Sequence, residues 1–265
     1  MIMLSRVESN ISHAWARVFI ELMNTTSGMR HPALISINLF FDDTDAVEDV
    51  SIKQRLDREL LRYDEYSCET VASTIFPISM WNPHLHNDSE ILFERYEKAW
   101  PGIERCRANR KGVYFRRLTS YSPDKHQDEP INQLQFIIDA YLSGNHRKSA
   151  LQASIIDPTR DHTNQRRKGF PCLQQISFTP LDNNKLSITG YYATQYQFEK
   201  AYGNYLGLYR LGQFMAKQLE LELIQVNCIA AALEIGKPNK AALRTLANDL
   251  HDMLNPTINK KEKIK

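Results

Sequence analysis

Apolar residues recur at helical spacing over residues 8–24, where Ile11, Ala14, Trp15, Val18 and Leu22 share one face. That period predicts an opening helix. ALISINLFF (33–41) is short and β-branched and runs into FDDTD, the pattern of a strand followed by a turn. YSCETVASTIF predicts a helix stopped at Pro77, and SEILFERYEKAW another ending ahead of Pro101. NRKGVYFRRLTSYSPDKHQDEP, punctuated by Pro123 and Pro130, shows no sustained period and reads as irregular.

The second half is more regular. INQLQFIIDAYLSG places Ile131, Leu134, Ile137, Ile138, Tyr141 and Leu142 on one helical face, with Gly144 as its stop. SALQASIID reads as a strand, and QISFTPL and KLSITGYYAT as two strands around the turn DNN. FEKAYGNYLGLYRLGQFMAKQLEL carries Phe198, Tyr202, Tyr205, Leu208, Leu211 and Met215 on a broad apolar face, which predicts a long buried helix. Gly203, Gly207 and Gly212 within it each cost about 1 kcal/mol relative to alanine. Close packing against a sheet would offset that cost. IQVNCIAAAL is a further strand and NKAALRTLANDLHDML a closing amphipathic helix. The order of elements predicts an α+β or mixed α/β fold around one large sheet packed by the long buried helix. It predicts one domain over residues 1–254 and a basic, disordered tail over 255–265.

Composition narrows the class. The chain has 265 residues, 42% apolar and 24% charged, an ordinary globular balance. A net charge of +2 offers no whole-chain attraction to nucleic acid or a membrane surface. The first residues, MIMLSRVESN, lack the apolar run of a signal peptide, and no stretch approaches the roughly 20 apolar residues of a spanning helix. Cys68, Cys106, Cys172 and Cys228 are far apart with no CxxC pair, so neither metal spacing nor a disulfide framework is indicated. A reduced, cytoplasmic protein without a metal is expected.

One cysteine has unusual neighbours. In RRKGFPCLQQISF, Cys172 follows Arg166, Arg167 and Lys168. Nearby cations favour thiolate over thiol, as a nucleophile requires. The alternative is a small buried hydrophobe, the commonest role of a free cysteine.

Several segments, in order, resemble the thymidylate synthase family over roughly residues 110–236. INQLQFIIDAYLSGNHRKSALQASIIDP is similar to its helix, basic pair and strand, and GFPCLQQISF to its Pro-Cys nucleophile motif. KLSITGYYATQYQFEKAYGN is similar to its phosphate-contacting strand and base-reading Asn, and GVYFRRL to its Val-Tyr-Gly segment. The resemblance implies that Cys172 adds to C6 of a pyrimidine nucleotide, so that C5 attacks a one-carbon unit from 5,10-methylenetetrahydrofolate. It implies that Asn204 reads the base, since an amide offers both donor and acceptor. Tyr114 then stands near C5 proton removal, and Glu69 is the helix-borne general acid or base. Thr194 keeps a hydroxyl where the family has Ser. Arg147 and Lys148 reach the nucleotide of a neighbouring subunit in a homodimer. Trp100 corresponds to the active-site Trp, and Arg30 to the phosphate Arg of the N-terminal loop.

The pattern also departs from the family. Ala193 stands where a phosphate-binding Arg is expected, Tyr196 where an Asp is, and Leu173 where a His follows the nucleophile. Glu234 and Gly236 replace the His and Tyr that hold the sugar hydroxyl, and the C-terminal folate lid is not recognisable. These changes imply a diverged methyl- or hydroxymethyltransferase. The competing implication is a catalytically lapsed relative acting as a nucleotide sensor or protein-binding subunit.

Overall fold

Strand β1 (Leu4–Glu8) leads into helix α1 (Ile11–Asn24). Asn10 caps that helix by accepting from the backbone N–H groups of Ser12 and His13, two of the donors a helix start leaves without partners. Strands β2 (Met29–Arg30) and β3 (Ala33–Asn38) follow, then helices α2 (Val50–Arg62) and α3 (Cys68–Ile75), capped by Asp49 and Ser67. The computed structural model describes residues 3–39, 47–83, 89–109, 113–122, 129–144, 146–162, 164 and 171–256. The turn expected at FDDTD, the cations 166–168 and most of the basic tail lie outside the described residues.

Helix α4 (Ser89–Arg105) runs through Pro101 instead of ending before it. Pro101 is exposed, so water can serve the carbonyl whose donor the ring removes. A short helix, α5 (Tyr114–Thr119), occupies part of the stretch expected to be irregular; six residues are too few to display a helical period. Helix α6 (Gln133–Leu142) ends near Gly144, which takes φ +69. Strand β4 (Gln152–Ser154), helix α7 (Pro158–Asp161), and strands β5 (Leu173–Leu181) and β6 (Lys185–Tyr196) follow. The β5–β6 turn places Asn183 and Asn184 at φ 60 and 56, positions that asparagine tolerates. A π-helical turn, Gln197–Ala201, opens helix α8 (Tyr202–Gln218); strand β7 (Glu222–Glu234) and helix α9 (Arg244–Leu254) complete the described elements.

The strands form one seven-stranded mixed sheet in the order β1-β3-β7-β6-β5-β4, with β2 also paired to β7. The fold is mixed α/β. β6 and β7, distant in sequence from β3, run parallel to one another, and β3 is antiparallel to β7. Helices α1 and α8 pack on the sheet, and one continuous core extends from Leu4 to Leu250. Asn38, Gln225, Ser187, Asn227 and Thr189 form a hydrogen-bonded ladder of amides and hydroxyls across β3, β7 and β6. Among the described residues no helix is long and apolar enough to cross a membrane.

Candidate active site

The C-terminal end of β6 breaks into the π-helical turn before α8 begins, and a cavity of about 430 Å³ lies around that junction. Cys172 reaches it from the residue just before β5. Its carbonyl accepts from the Ala193 backbone N–H at 3.0 Å, which ties the Cys172 backbone to β6. Tyr114 enters from the first turn of α5, Asn204 from the first turn of α8, and Thr194 from β6. Gln195 also lines the cavity. Successive strand residues face opposite ways, so both reach it only because the cavity wraps around the strand's end.

Burial raises the Cys172 thiol above its ordinary pKa, and the positive charge of Lys200 acts against that rise. Burial also pushes the Tyr114 phenol up to about 12, opposed by the backbone N–H groups of Leu173 and Cys172. At neutral pH Tyr114 therefore keeps its proton and acts as a hydrogen-bond donor. Asn204 is buried, yet among the described residues its carboxamide makes no hydrogen bond within the chain. Its polar atoms open into the cavity rather than into the core, so donor and acceptor are both available to whatever enters.

The scaffold under the site is polar and hydrogen-bonded. Arg117 lines the cavity and forks onto Asp161 at 2.6 and 2.9 Å while donating to the Ile155 carbonyl at 2.9 Å. Gln133 donates to the carbonyls of Arg117 and Ser154 at 2.9 and 2.8 Å. Together they clamp α5, and so Tyr114, against β4 and α7. Gln195 donates to the Cys228 sulfur at 3.3 Å. Gly236, at φ +115, lets the buried Glu199 carboxylate close in; a Cβ there would fall 1.8 Å from Glu199 Oε2.

Cys172, Tyr114, Asn204 and Thr194 thus share one cavity, and the other residues named from the resemblance lie elsewhere. Glu69 does not line the cavity, although Thr70, Val71 and Thr74 of the same helix do. Its carboxylate is held by both nitrogens of the Arg210 fork, at 2.6 and 2.9 Å, and by Lys53 at 3.6 Å. The Arg210 hydrogen bond keeps it below its usual carboxylate range. Trp100 packs on Tyr96 with the Arg116 guanidinium 5.0 Å above its ring. Arg147 and Lys148 are exposed around a single 3₁₀ turn. Glu234 ends β7 between Tyr196 and Met29. Arg30 lines a separate cleft with Arg6, Arg17 and Glu21, 3.6 Å from the Glu21 carboxylate.

Residues that the sequence patterns do not single out also line the cavity, Lys200, Arg117, Tyr66 and Gln195, together with Tyr196. Lys200 could have been found, because it lies four residues before Asn204 and therefore on the same helical face. Arg117 carries no comparable signal. Among the described residues no group of three His, Cys, Asp or Glu side chains is placed to hold a metal ion. Compared with known protein families and with curated proteins, the chain matches none.

Proposed function

We propose that this chain has a thymidylate synthase-like fold and activity: it binds a pyrimidine nucleotide and adds the Cys172 sulfur to C6 of the ring, preparing C5 to take a one-carbon unit. The observation that carries this reading is the Asn204 carboxamide, which has no hydrogen-bond partner among the described residues and opens into the same cavity as Cys172. Its donor and acceptor match O4 and N3–H of uracil. As the S–C6 bond forms, the C5=C6 electron pair moves to C5 and O4, and Asn204 meets the charge gathering on O4. C5 then bonds the incoming carbon and its proton leaves through water ordered by Tyr114; the bond from that carbon to the folate nitrogen would break to leave an exocyclic methylene, which hydride from the tetrahydrofolate would convert to methyl or water to hydroxymethyl as the S–C6 bond breaks and restores the thiolate. The product is a C5-methyl or C5-hydroxymethyl pyrimidine.

The cavity also presents flat apolar surface in Tyr66, Val71, Val113 and Tyr196. These residues would hold the ring system of 5,10-methylenetetrahydrofolate, which would supply the one-carbon unit. Arg147 and Lys148 stand exposed and outside their own chain's cavity, as residues serving a neighbour's nucleotide in a homodimer must. A reducing, cytoplasmic setting suits a protein whose four cysteines are all free.

A second reading, a nucleotide sensor that forms no bond, has its own support. Burial disfavours the Cys172 thiolate, and Glu69 is spent on Arg210 instead of the cavity.

Denaturing mass spectrometry after incubation with 5-fluoropyrimidine nucleotides, with and without methylenetetrahydrofolate, separates the two. A stable adduct that disappears in Cys172→Ser is the expected result. Absence of any adduct with mono-, di- or triphosphates, alongside measurable nucleotide binding, would leave only the sensor. Light scattering on the same samples reads the mass; a strict monomer would remove the roles given to Arg147 and Lys148.

A further inference from the structure

A buried sulfur is a poor anion unless a fixed positive charge stands beside it. Two cations line the cavity among the described residues, Arg117 and Lys200. Arg117 is already committed to Asp161 and the Ile155 carbonyl. Lys200 is not committed in this way. It pairs with Glu65 only at 3.9 Å, whereas Glu65 reaches Lys237 at 3.0 Å. Its acidic sequence neighbour Glu199 turns inward and accepts the Lys237 backbone N–H at 2.8 Å. Another wall residue, Tyr66, places its ring 5.2 Å from the Lys200 ammonium and so steadies it by a cation–π contact.

The backbone explains why Lys200 is there. It belongs to the π-helical turn Gln197–Ala201, a widened turn of the kind found at functional sites. That turn sends Glu199 into the protein and leaves Lys200 on the cavity side with Asn204.

We propose that Lys200 is the counter-ion of the Cys172 thiolate, a positioning residue that holds the charged sulfur in the cavity until it bonds; this rests on the reading of Cys172 as the nucleophile. The thiol proton leaves to water and the thiolate stays beside the ammonium. On attack the charge passes from sulfur into the ring, and it returns to the Lys200 pair when the S–C6 bond breaks. Burial raises the thiol and lowers the amine, and against that burial each group's charge favours the charged form of the other. Other titratable groups face this pair. Tyr114, Tyr192, Tyr196 and Cys106 stand around the cavity or the sulfur, and Glu65, Glu199, Lys237 and Tyr66 around the amine. Burial holds Tyr114 and Tyr192 protonated through neutral pH, so neither supplies the charge that responds there.

The test needs no substrate. The full chain is alkylated with iodoacetamide from pH 6 to 11, and modification of Cys172 is followed by peptide mass spectrometry in wild type, Lys200→Met and Lys200→Arg. Lys200→Met should raise the midpoint for Cys172 by about one pH unit, an approximately tenfold loss of alkylation rate at pH 7. Lys200→Arg should retain the wild-type midpoint, because the guanidinium keeps the charge. An unchanged midpoint in Lys200→Met, with a wild-type thermal melt, overturns the proposal. So does an unchanged midpoint accompanied by weakened nucleotide binding, which would make Lys200 a ligand anchor. A shifted midpoint without any 5-fluoropyrimidine adduct keeps the ion pair and discards the transferase.

Discussion

Tyr114 shows how burial reassigns a role at the scale of one residue. The resemblance places a tyrosine near the C5 proton, and this structure puts one at the cavity wall with its phenol pushed up to about 12. A phenol so far above neutral cannot be the base itself; it can order the water that takes the proton. Tyr114→Phe should therefore slow release of tritium from C5-labelled pyrimidine by about 100-fold while the Cys172 adduct still forms. Equal loss of adduct and release would instead make Tyr114 a structural residue. The resemblance names Cys172, Asn204, Thr194 and Tyr114, and the structure places all four at one cavity. The surroundings of Glu69 and Trp100 are not legible in the sequence, because their orientation depends on Arg210 and Arg116, partners that no local pattern announces. The cations before Cys172 suggest an activated thiol, and Lys200, 28 residues later in the chain, is the described cation that acts on it.

Whole elements are readable where an apolar period runs for three turns or more, as in α1, α6 and α8. Strand β1, helix α2 and helix α5 are not anticipated by pattern. β1 is only five residues long, and α5 hides a buried arginine in place of an apolar residue. The glycines of α8 imply tight embedding against a sheet, and that holds for Gly212, which lies against Leu223 and Ile188. Gly203 and Gly207 serve a different contact: they let α8 approach α3, the helix that carries part of the cavity wall. A Cβ at Gly203 would fall 2.5 Å from the Val71 Cβ and 2.8 Å from the Cys68 carbonyl. Gly203→Ala should thus destabilise by about 1–3 kcal/mol through overpacking, despite the better helix propensity of alanine. At Gly102 in α4 an added methyl would meet nothing within 4 Å, and Gly102→Ala should stabilise by up to about 1 kcal/mol. Urea midpoints moving in opposite directions would confirm the contrast; two shifts of the same sign would refute it.

The arrangement of the whole molecule is the least legible level. Five of the seven strands follow from pattern, but the pairing of β3 and β6 on either side of β7 joins segments far apart in the chain, and alternation alone cannot select those partners. The same long-range closure builds the site, since Tyr114, Cys172 and Asn204 meet only after α5, β5 and α8 are docked. Much of that docking depends on the buried Arg117–Asp161 pair. Burial works to raise the Asp161 carboxyl, but the hydrogen bonds from Arg117 and from the Asp157 backbone outweigh it and leave it below its ordinary value. A carboxyl whose folded pKa is depressed stabilises the fold fully above its unfolded value, near 4, and loses that contribution as pH falls through the folded value. Asp161→Asn should cost about 3–5 kcal/mol at pH 7, because it leaves the Arg117 charge buried without its counter-ion. The difference should shrink progressively as pH falls below about 4, as the wild-type carboxyl takes up its proton. Urea unfolding of both across pH 2.5–7 measures this directly. A constant difference between them down to the lowest pH would show that the pair acts by shape, not charge, and that the α5 clamp does not depend on ionisation.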